Sequence, residues 1–509
     1  MDGAQEKIQD LDDLELEAGG YQREMPRQFT VLSLGALSFA LTCSWLGVGS
    51  SIGLSITDAS GAGTVWSLPI AGIMTVIVGL GMAELSSAFP VAGAQYYWSF
   101  MVASDEWKPF AGYFNAWISI LGWWMGSSSV SNFISSMILS IVTLWYPDYQ
   151  WQHWQLWLIY VALIWLAVSL NVFGSSLIPL YNQLTFTLRN SHASAAWMFA
   201  DTTTSTGWSP DGMGFVLAIS NAVFSFLGSD AGAHMCEEIH NPGRNVPKVI
   251  ILPLIVGLIT AFPYACACLF AITDVPAVLN TATGLPLIEI YRQGTGSDVA
   301  ASILMALFAF CFYSCLVGNT TACSRTLWAV SRDDALPFSN VWARVNRKFK
   351  VPINAMLLSG TFVSLYGLIF IGSSTAFSAM VSANIIFLQS SCVIPQAITF
   401  WRGRDRVLPE RYFSLGRYGP IVNIISIVWV LFVDVVACLP TVLPAEPASM
   451  NYVSVVCVGL IMFVVGLWFV SKKGTFKGPK IDMETMLARR IAAMNPDSDI
   501  TNSRQPLSL

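Results

Sequence analysis

The sequence predicts an all-α polytopic membrane protein, and three observations carry that prediction. Of the 509 residues, 54% are hydrophobic and only 11% charged, against about 25% charged in a soluble globular chain. The apolar residues gather into twelve runs, and at about 20 residues per crossing these leave space for short loops and two tails but no large soluble domain. Lys and Arg fall almost entirely on one side of the resulting topology, which is the pattern of cytoplasmic loops.

Taken in order, the runs lie at roughly 31–56, 65–88, 110–143, 154–173, 175–188, 213–239, 249–272, 299–331, 352–371, 375–400, 418–440 and 450–470. With the N-terminus inside, the connection after the eighth run holds Arg332, Arg344, Arg347, Lys348 and Lys350, and the one after the tenth holds Arg402, Arg404, Arg406, Arg411 and Arg417. Only Arg189 and Arg292 fall on the far side, so both termini are expected to be cytoplasmic. The net charge of −5 sits in residues 1–28, where eight acids face three bases. The remainder is neutral, so nucleic acid has no electrostatic support as a partner. That acidic start lacks an apolar h-region, and no cleavable signal peptide is expected. The ten cysteines lie in or beside apolar runs and read as packing thiols. No cofactor and no metal is expected.

The fifth run is too short. Ser175 to Leu188 is 14 residues, a rise of about 21 Å against a hydrocarbon core of about 30 Å. Parity still demands a crossing there, because without one the basic connections at 332–351 and 401–417 would invert. The shortfall points to a gene-model or splicing deletion near Leu188 and Arg189, with completion by polar residues as the alternative. The expected organisation is an acidic disordered tail (1–28), a first set of five helices (29–188, the fifth truncated), a second set (189–400), two further helices (401–470) and a cytoplasmic C-terminal tail (471–509).

A helix in lipid keeps its backbone bonded to itself, so glycine clusters at mid-span need a reason. The first run contains SWLGVGSSIG, with Gly47, Gly49 and Gly53, and the sixth contains FLGSDAGAH, with Gly228, Asp230 and Gly232. Paired interruptions in corresponding helices of two halves point to an inverted-repeat transporter whose site lies at the membrane midplane. Close packing through small residues is the alternative reading of either break. Asp230 is the strongest candidate, because a carboxylate deep in a membrane is costly unless paired or hydrated. It is expected to bind a substrate cation or a proton, or to cap the half-helix starting near Ala231, two roles that are compatible. Ring faces attract ammonium groups, and among the aromatics near the breaks (Phe224, Trp123 and Trp124 included) Trp45 and Phe226 adjoin them most closely. Glu84 and Arg325, near cytoplasmic helix ends, are expected to pair across helices as a structural or gating ion pair.

An enzyme is not expected. An intramembrane aspartyl protease needs two facing acids at mid-depth, and the distant candidate partner of Asp230, Asp434, falls near a helix end.

Three ordered segments then carry a resemblance: AELSSAFPVAGAQYYW (Ala83 to Trp98), HMCEEIHNPGRNVPKVI (His234 to Ile250) and SRTLWAVSRDDALPF (Ser324 to Phe338). Over residues 20–470 the chain resembles the amino acid-polyamine-organocation permeases, and within them the fungal amino acid/choline transporter branch that includes choline and GABA permeases. The resemblance implies a five-plus-five inverted-repeat core with discontinuous helices 1 and 6 and two added helices. It implies that Gly47, Val48 and Gly49 offer backbone groups from an unwound first helix, and that Leu227, Gly228, Ser229 and Asp230 do so in the sixth. The Glu84 to Gln95 segment would form the cytoplasmic loop after helix two, and Glu237, Glu238 and Arg244 would lie in a cytoplasmic gate. Some proton-coupled relatives use a lysine in helix five; this chain has none between Lys108 and Lys248, so a proton as coupling ion would need another device or the missing piece. The implied activity is secondary active transport of a small amine or amino acid across a lipid bilayer by alternating access. A non-transporting nutrient sensor and a transporter serving a metabolite cluster are the alternatives. The plasma membrane is the expected location, with the vacuolar membrane as the alternative.

Overall fold

The computed structural model describes residues 12–13, 16–17, 19–42, 44–173, 194–210, 212–446 and 450–479. Among these residues nine helical stretches are long and apolar enough to cross a membrane. The first of them holds two helices' worth of chain. It comprises α1 (Val31–Thr42) and α2 (Ser44–Ala88), and α2 departs from helical geometry at Ala59 and Ser60, where Ser60 takes a left-handed φ of 53°. Next come α3 (Gln95–Val102), α4 (Lys108–Trp145) and α5 (His153–Phe173). The sixth crossing is broken into α6 (Gly212–Phe224) and α7 (Ala231–His234). The other long helices are α8 (Pro242–Phe270), α9 (Asp298–Arg332), α10 (Ile353–Gly367), α11 (Ser374–Arg402), α12 (Gly419–Ala437) and α13 (Val453–Leu467). The protein is therefore an all-helical polytopic membrane protein, and the described residues contain no strand, only an isolated bridge between Phe29 and Ile239.

Helices in lipid gain little from apolar burial against one another, so they meet through small residues and internal hydrogen bonds. Along α4, Ser127, Ser131 and Ser135 each donate to the carbonyl one turn back, at 3.0, 2.8 and 2.8 Å. Three hydroxyls are thus satisfied within the helix while it packs against α9 and α11. α8 and α6 pack on α2. The outward faces carry apolar side chains at helical spacing, Leu252, Val256 and Ile259 on α8 and Val428, Leu431 and Val435 on α12, all exposed. That surface suits hydrocarbon and not water.

The even-numbered connections meet at one end of the bundle. There Asp12 accepts from the Asn241 amide at 2.9 Å, Tyr21 donates to Asp333 at 2.6 Å, and Arg402 donates to the Ala103 carbonyl at 2.9 Å. Lys472 donates to the Asp334 carbonyl at 2.6 Å. At the other end Asn221 donates to Asp58 at 2.6 Å, Ser60 to Asp201 at 3.1 Å and Trp145 to Ser302 at 2.9 Å. The first is the basic end. The short fifth run, with Arg189, lies outside the described residues. Its flanks stand at opposite ends: Phe173 meets the ring of Phe349 beside the basic end, while Asp201 binds Ser60.

One expectation is corrected here. The segment read as a disordered tail is docked where it is described: Tyr21 and Met25 are buried, and the Phe29 amide bonds the Glu238 carbonyl at 3.1 Å. Its apolar residues have a groove at the basic end to fill, which its acidic composition concealed.

Candidate transport site

The sixth crossing breaks where its sequence expects. Ser225, Phe226 and Leu227 donate to the carbonyls three residues back, and bonding resumes with Ala231 to Gly228 and Ala233 to Asp230. The amides of Gly228, Ser229 and Asp230 fall between these two sets. Gly228 has φ +75°, a conformation that an L side chain rarely adopts, and the Trp123 ring and the Leu41 carbonyl each stand 3.5 Å from where a Cβ would lie.

The first helix behaves differently. Gly47, Val48 and Gly49 are helical, so the unwinding expected there is corrected. These glycines permit close packing instead. A Cβ on Gly47 would stand 2.6 Å from Ser225 Cα, and one on Gly49 would stand 2.6 Å from the Phe308 ring. The Gly47 carbonyl also accepts from both Ser50 and Ser51 at 2.9 Å. Gly47 lets the broken part of helix six approach helix one, while Gly49 makes room for Phe308 and Tyr264, the packing reading of that cluster.

Beside the break lies a cavity of ≈ 40 Å³. Leu41, Thr42 and Gly47 line it from the first crossing and Phe224, Leu227 and Gly228 from the sixth. Trp123, Gly126 and Val130 on α4, Phe312, Cys315 and Asn319 on α9, and Asn384 and Leu388 on α11 complete the wall. Among the described residues the lining contains no Lys, Arg, Asp or Glu. Asn384 is 3% exposed, and its Oδ1 has no hydrogen-bond partner. A buried unpaired acceptor costs about 1–3 kcal/mol, which a ligand's donor would recover.

Of the residues singled out from sequence, Gly47, Trp123, Phe224, Leu227 and Gly228 reach this cavity. Trp45 does not: it packs edge-on against Tyr264 and Phe308, with centroids 5.8 and 5.6 Å away. Phe226 is fully buried against Gly72 of α2, while Val48 and Ser229 are buried outside the lining. Trp124 stacks on Phe362 at 4.0 Å and donates to Ser359. Asp230, 1% exposed, lies behind the wall. Its side chain makes no capping bond, and Oδ2 instead accepts from Gln95 Nε2 at 2.5 Å and stands 3.2 Å from His234 Nε2. The residues missed from sequence are Phe312, Asn319 and Asn384. A usable signal existed, since amides at mid-span in apolar runs are as anomalous as acids.

At the basic end the charged residues form pairs. Arg325 Nε binds Glu238 at 2.7 Å, and Arg332 grips both oxygens of Glu237 at 2.6 and 3.0 Å. The expected Glu84–Arg325 pair is corrected: Glu84 binds Arg404, Arg411 at 2.6 Å and the Leu415 amide at 3.1 Å. The connection after the tenth crossing folds over helix two and reaches Glu84 first. Arg244 is exposed and forms no ion pair with a described residue. The N-terminal segment closes this end. The Arg332 guanidinium lies 4.2 Å from the Tyr21 ring centroid and 4.0 Å from that of Trp328, and Asp333 accepts from both Tyr21 and Tyr96. Burial pushes the Tyr21 phenol up from its ordinary range.

Membrane-length helices around a broken helix, with a buried cavity at the break and paired charges closing one end, define a polytopic membrane transport protein. The chain belongs to the amino acid permease family, whose profile matches residues 29–463. It is 31% identical to a choline transporter of Saccharomyces cerevisiae, over 93% of this chain and 87% of that one. It is 29% identical to the amino-acid permease BAT1 of Arabidopsis thaliana, over 94% and 96% of the two chains. A BAT1 homolog of Oryza sativa is 30% identical, over 91% and 95%. These relatives are named as transporters and permeases, not enzymes, and support a transporter of amino acids or amines.

Proposed function

We propose that the chain is a secondary active transporter of a small cationic or zwitterionic nitrogen compound, with choline the favoured substrate, working by alternating access in a five-plus-five inverted-repeat core. The observation that carries this reading is the composition of the cavity wall. The rings of Trp123, Phe224 and Phe312 line it, without any acidic or basic side chain among the described residues, and the unpaired Asn384 oxygen adds one acceptor. Aromatic faces suit a weakly hydrated quaternary ammonium through cation–π attraction. The Asn384 oxygen suits a hydroxyl or N–H donor.

At ≈ 40 Å³ the cavity has room for about three water molecules, so loading a larger solute requires the walls to part. Movement of the broken sixth crossing against the paired charges at the basic end would supply that opening. By the charge asymmetry the basic end faces the cytoplasm. The plasma membrane is the favoured location.

The test is a competition uptake panel in a permease-deficient strain, covering choline, ethanolamine, GABA and several amino acids. Choline uptake saturable and competed best by quaternary amines supports the reading. Absence of uptake for every solute, with the protein present at the membrane, overturns it in favour of a sensor.

A further inference from the structure

We propose that Asp230 and His234 together form the binding site for the coupling proton, and that the site is joined to the substrate cavity through the Trp123 indole. This rests on the transporter reading above and deepens it.

The argument starts from donors and acceptors. His234 Nδ1 lies 3.3 Å from the Ala92 carbonyl, which only accepts, so Nδ1 carries a hydrogen. Trp123 Nε1, which only donates, points at His234 Nε2 from 3.3 Å, and Asp230 Oδ2 stands 3.2 Å from the same nitrogen. Nε2 therefore has two claimants. With no proton between them, the ring is neutral, its lone pair accepts from Trp123, and the carboxylate faces that lone pair with Gln95 as its donor. With a proton between Oδ2 and Nε2, the Asp–His contact becomes a true hydrogen bond and the Trp123 N–H loses its acceptor. The two hydrogen-bond sets cannot be complete together.

The surroundings leave a proton as the natural neutraliser. Asp230, His234, Gln95 and Trp123 are each 1% exposed or less. Among the described residues Asp230 has no Lys or Arg partner, and an unpaired buried carboxylate is costly. From the packed elements, Gln95 of α3, Trp123 of α4 and the Cys392 thiol of α11 face the pair. On α1 and α8 the side chains packed over Gly232, between the two in sequence, are Ser38 and Val249, which do not carry charge. On α9 and the turn after α7, Arg325 and Arg332 are committed to Glu238 and Glu237. Trp123 also lines the cavity and packs over Gly228 at the break. A proton arriving at the pair thus releases the N–H of a cavity-wall ring.

Two measurements test this. In purified full-length protein, nitrogen NMR of labelled histidine follows the four rings from about pH 5 to about pH 9, with the His234 signal assigned by its loss in His234→Gln. The expected result is a change at Nε2 with pH whose midpoint moves in Asp230→Asn. A ring whose Nε2 stays in one state throughout overturns the proposal without reference to transport. In proteoliposomes clamped at zero potential, a one-proton symporter accumulates solute about tenfold per unit of imposed pH difference. That slope should vanish in both Asp230→Asn and His234→Gln. A wild-type slope of zero, or slopes unchanged in the variants, overturns the coupling role. If His234 titrates as expected while no solute is carried, the transporter reading fails and the proton site stands.

Discussion

The Glu238 carboxylate and the Arg325 guanidinium meet at 2.7 Å with 1% and 3% of their side chains exposed, and Gln28 of the N-terminal segment donates to the same carboxylate at 3.2 Å. A buried pair of this kind contributes little over an apolar replacement, but losing one partner strands the other at a cost of about 3–5 kcal/mol. Arg325→Met and Glu238→Gln should each lower the thermal midpoint of the detergent-solubilised protein markedly. The double variant should recover most of the loss; a double variant as unstable as the sum of the singles would show that the pair does not act as a unit.

Gly47 should tolerate no larger side chain. Its Cβ would stand 2.6 Å from a backbone atom of Ser225, so the broken helix itself must shift. Overpacking of this kind costs about 1–3 kcal/mol. Gly47→Val is expected to reduce both stability and uptake. Gly35→Ala, with nothing within 4 Å of the added carbon, is the control that should leave both intact. Equal effects at the two positions would count against close approach as the reason for Gly47.

Asn384→Leu removes the unpaired acceptor from the cavity wall. If that oxygen receives the substrate's donor, the loss of about 1–3 kcal/mol should raise KM for choline tenfold or more. The methyl ether of choline, which has no hydroxyl hydrogen to donate, should be affected far less. A KM that rises equally for both compounds would show that Asn384 shapes the cavity without bonding the solute.

Docking of the N-terminal segment should weaken in acid. Burial first, then Arg27 and Arg23, hold the His240 imidazole below its ordinary range, with Asp13 opposing. A base with a lowered folded pKa is protonated more readily once released. The docked form is therefore fully supported above the ordinary histidine value of about 6.5 and loses support as pH falls through it. Hydrogen exchange over residues 19–28, corrected for the intrinsic effect of pH, should quicken between about pH 7.5 and about pH 5.5. His240→Gln should flatten that dependence, and a variant with the full pH response would remove histidine as its cause.

Much of the architecture was legible because hydrophobic periodicity and charge placement are local in sequence and answer directly to the membrane. The runs now seen as α4, α8, α9 and α11 follow from length and composition, and the FLGSD interruption followed from glycine and an acid at mid-span. The fifth run lies outside the described residues. The SWLGVGSSIG cluster looked the same on paper yet stayed helical, because its glycines serve a neighbour that only the folded chain brings near.

By itself, then, the sequence determined the class of the protein, its helical bundle and the location of one break, since each follows from what lipid does to a polypeptide. The tertiary structure decided which side chains wall the cavity and which charges pair. Asn319 and Asn384 come from helices far along the chain from the break, Glu84 is claimed by Arg404 and Arg411 and not by Arg325, and Asp230 turns from the cavity toward Gln95 and His234. The physical reason is that a partner is chosen by distance in space. Residues hundreds of positions apart acquire that distance only when the helices pack.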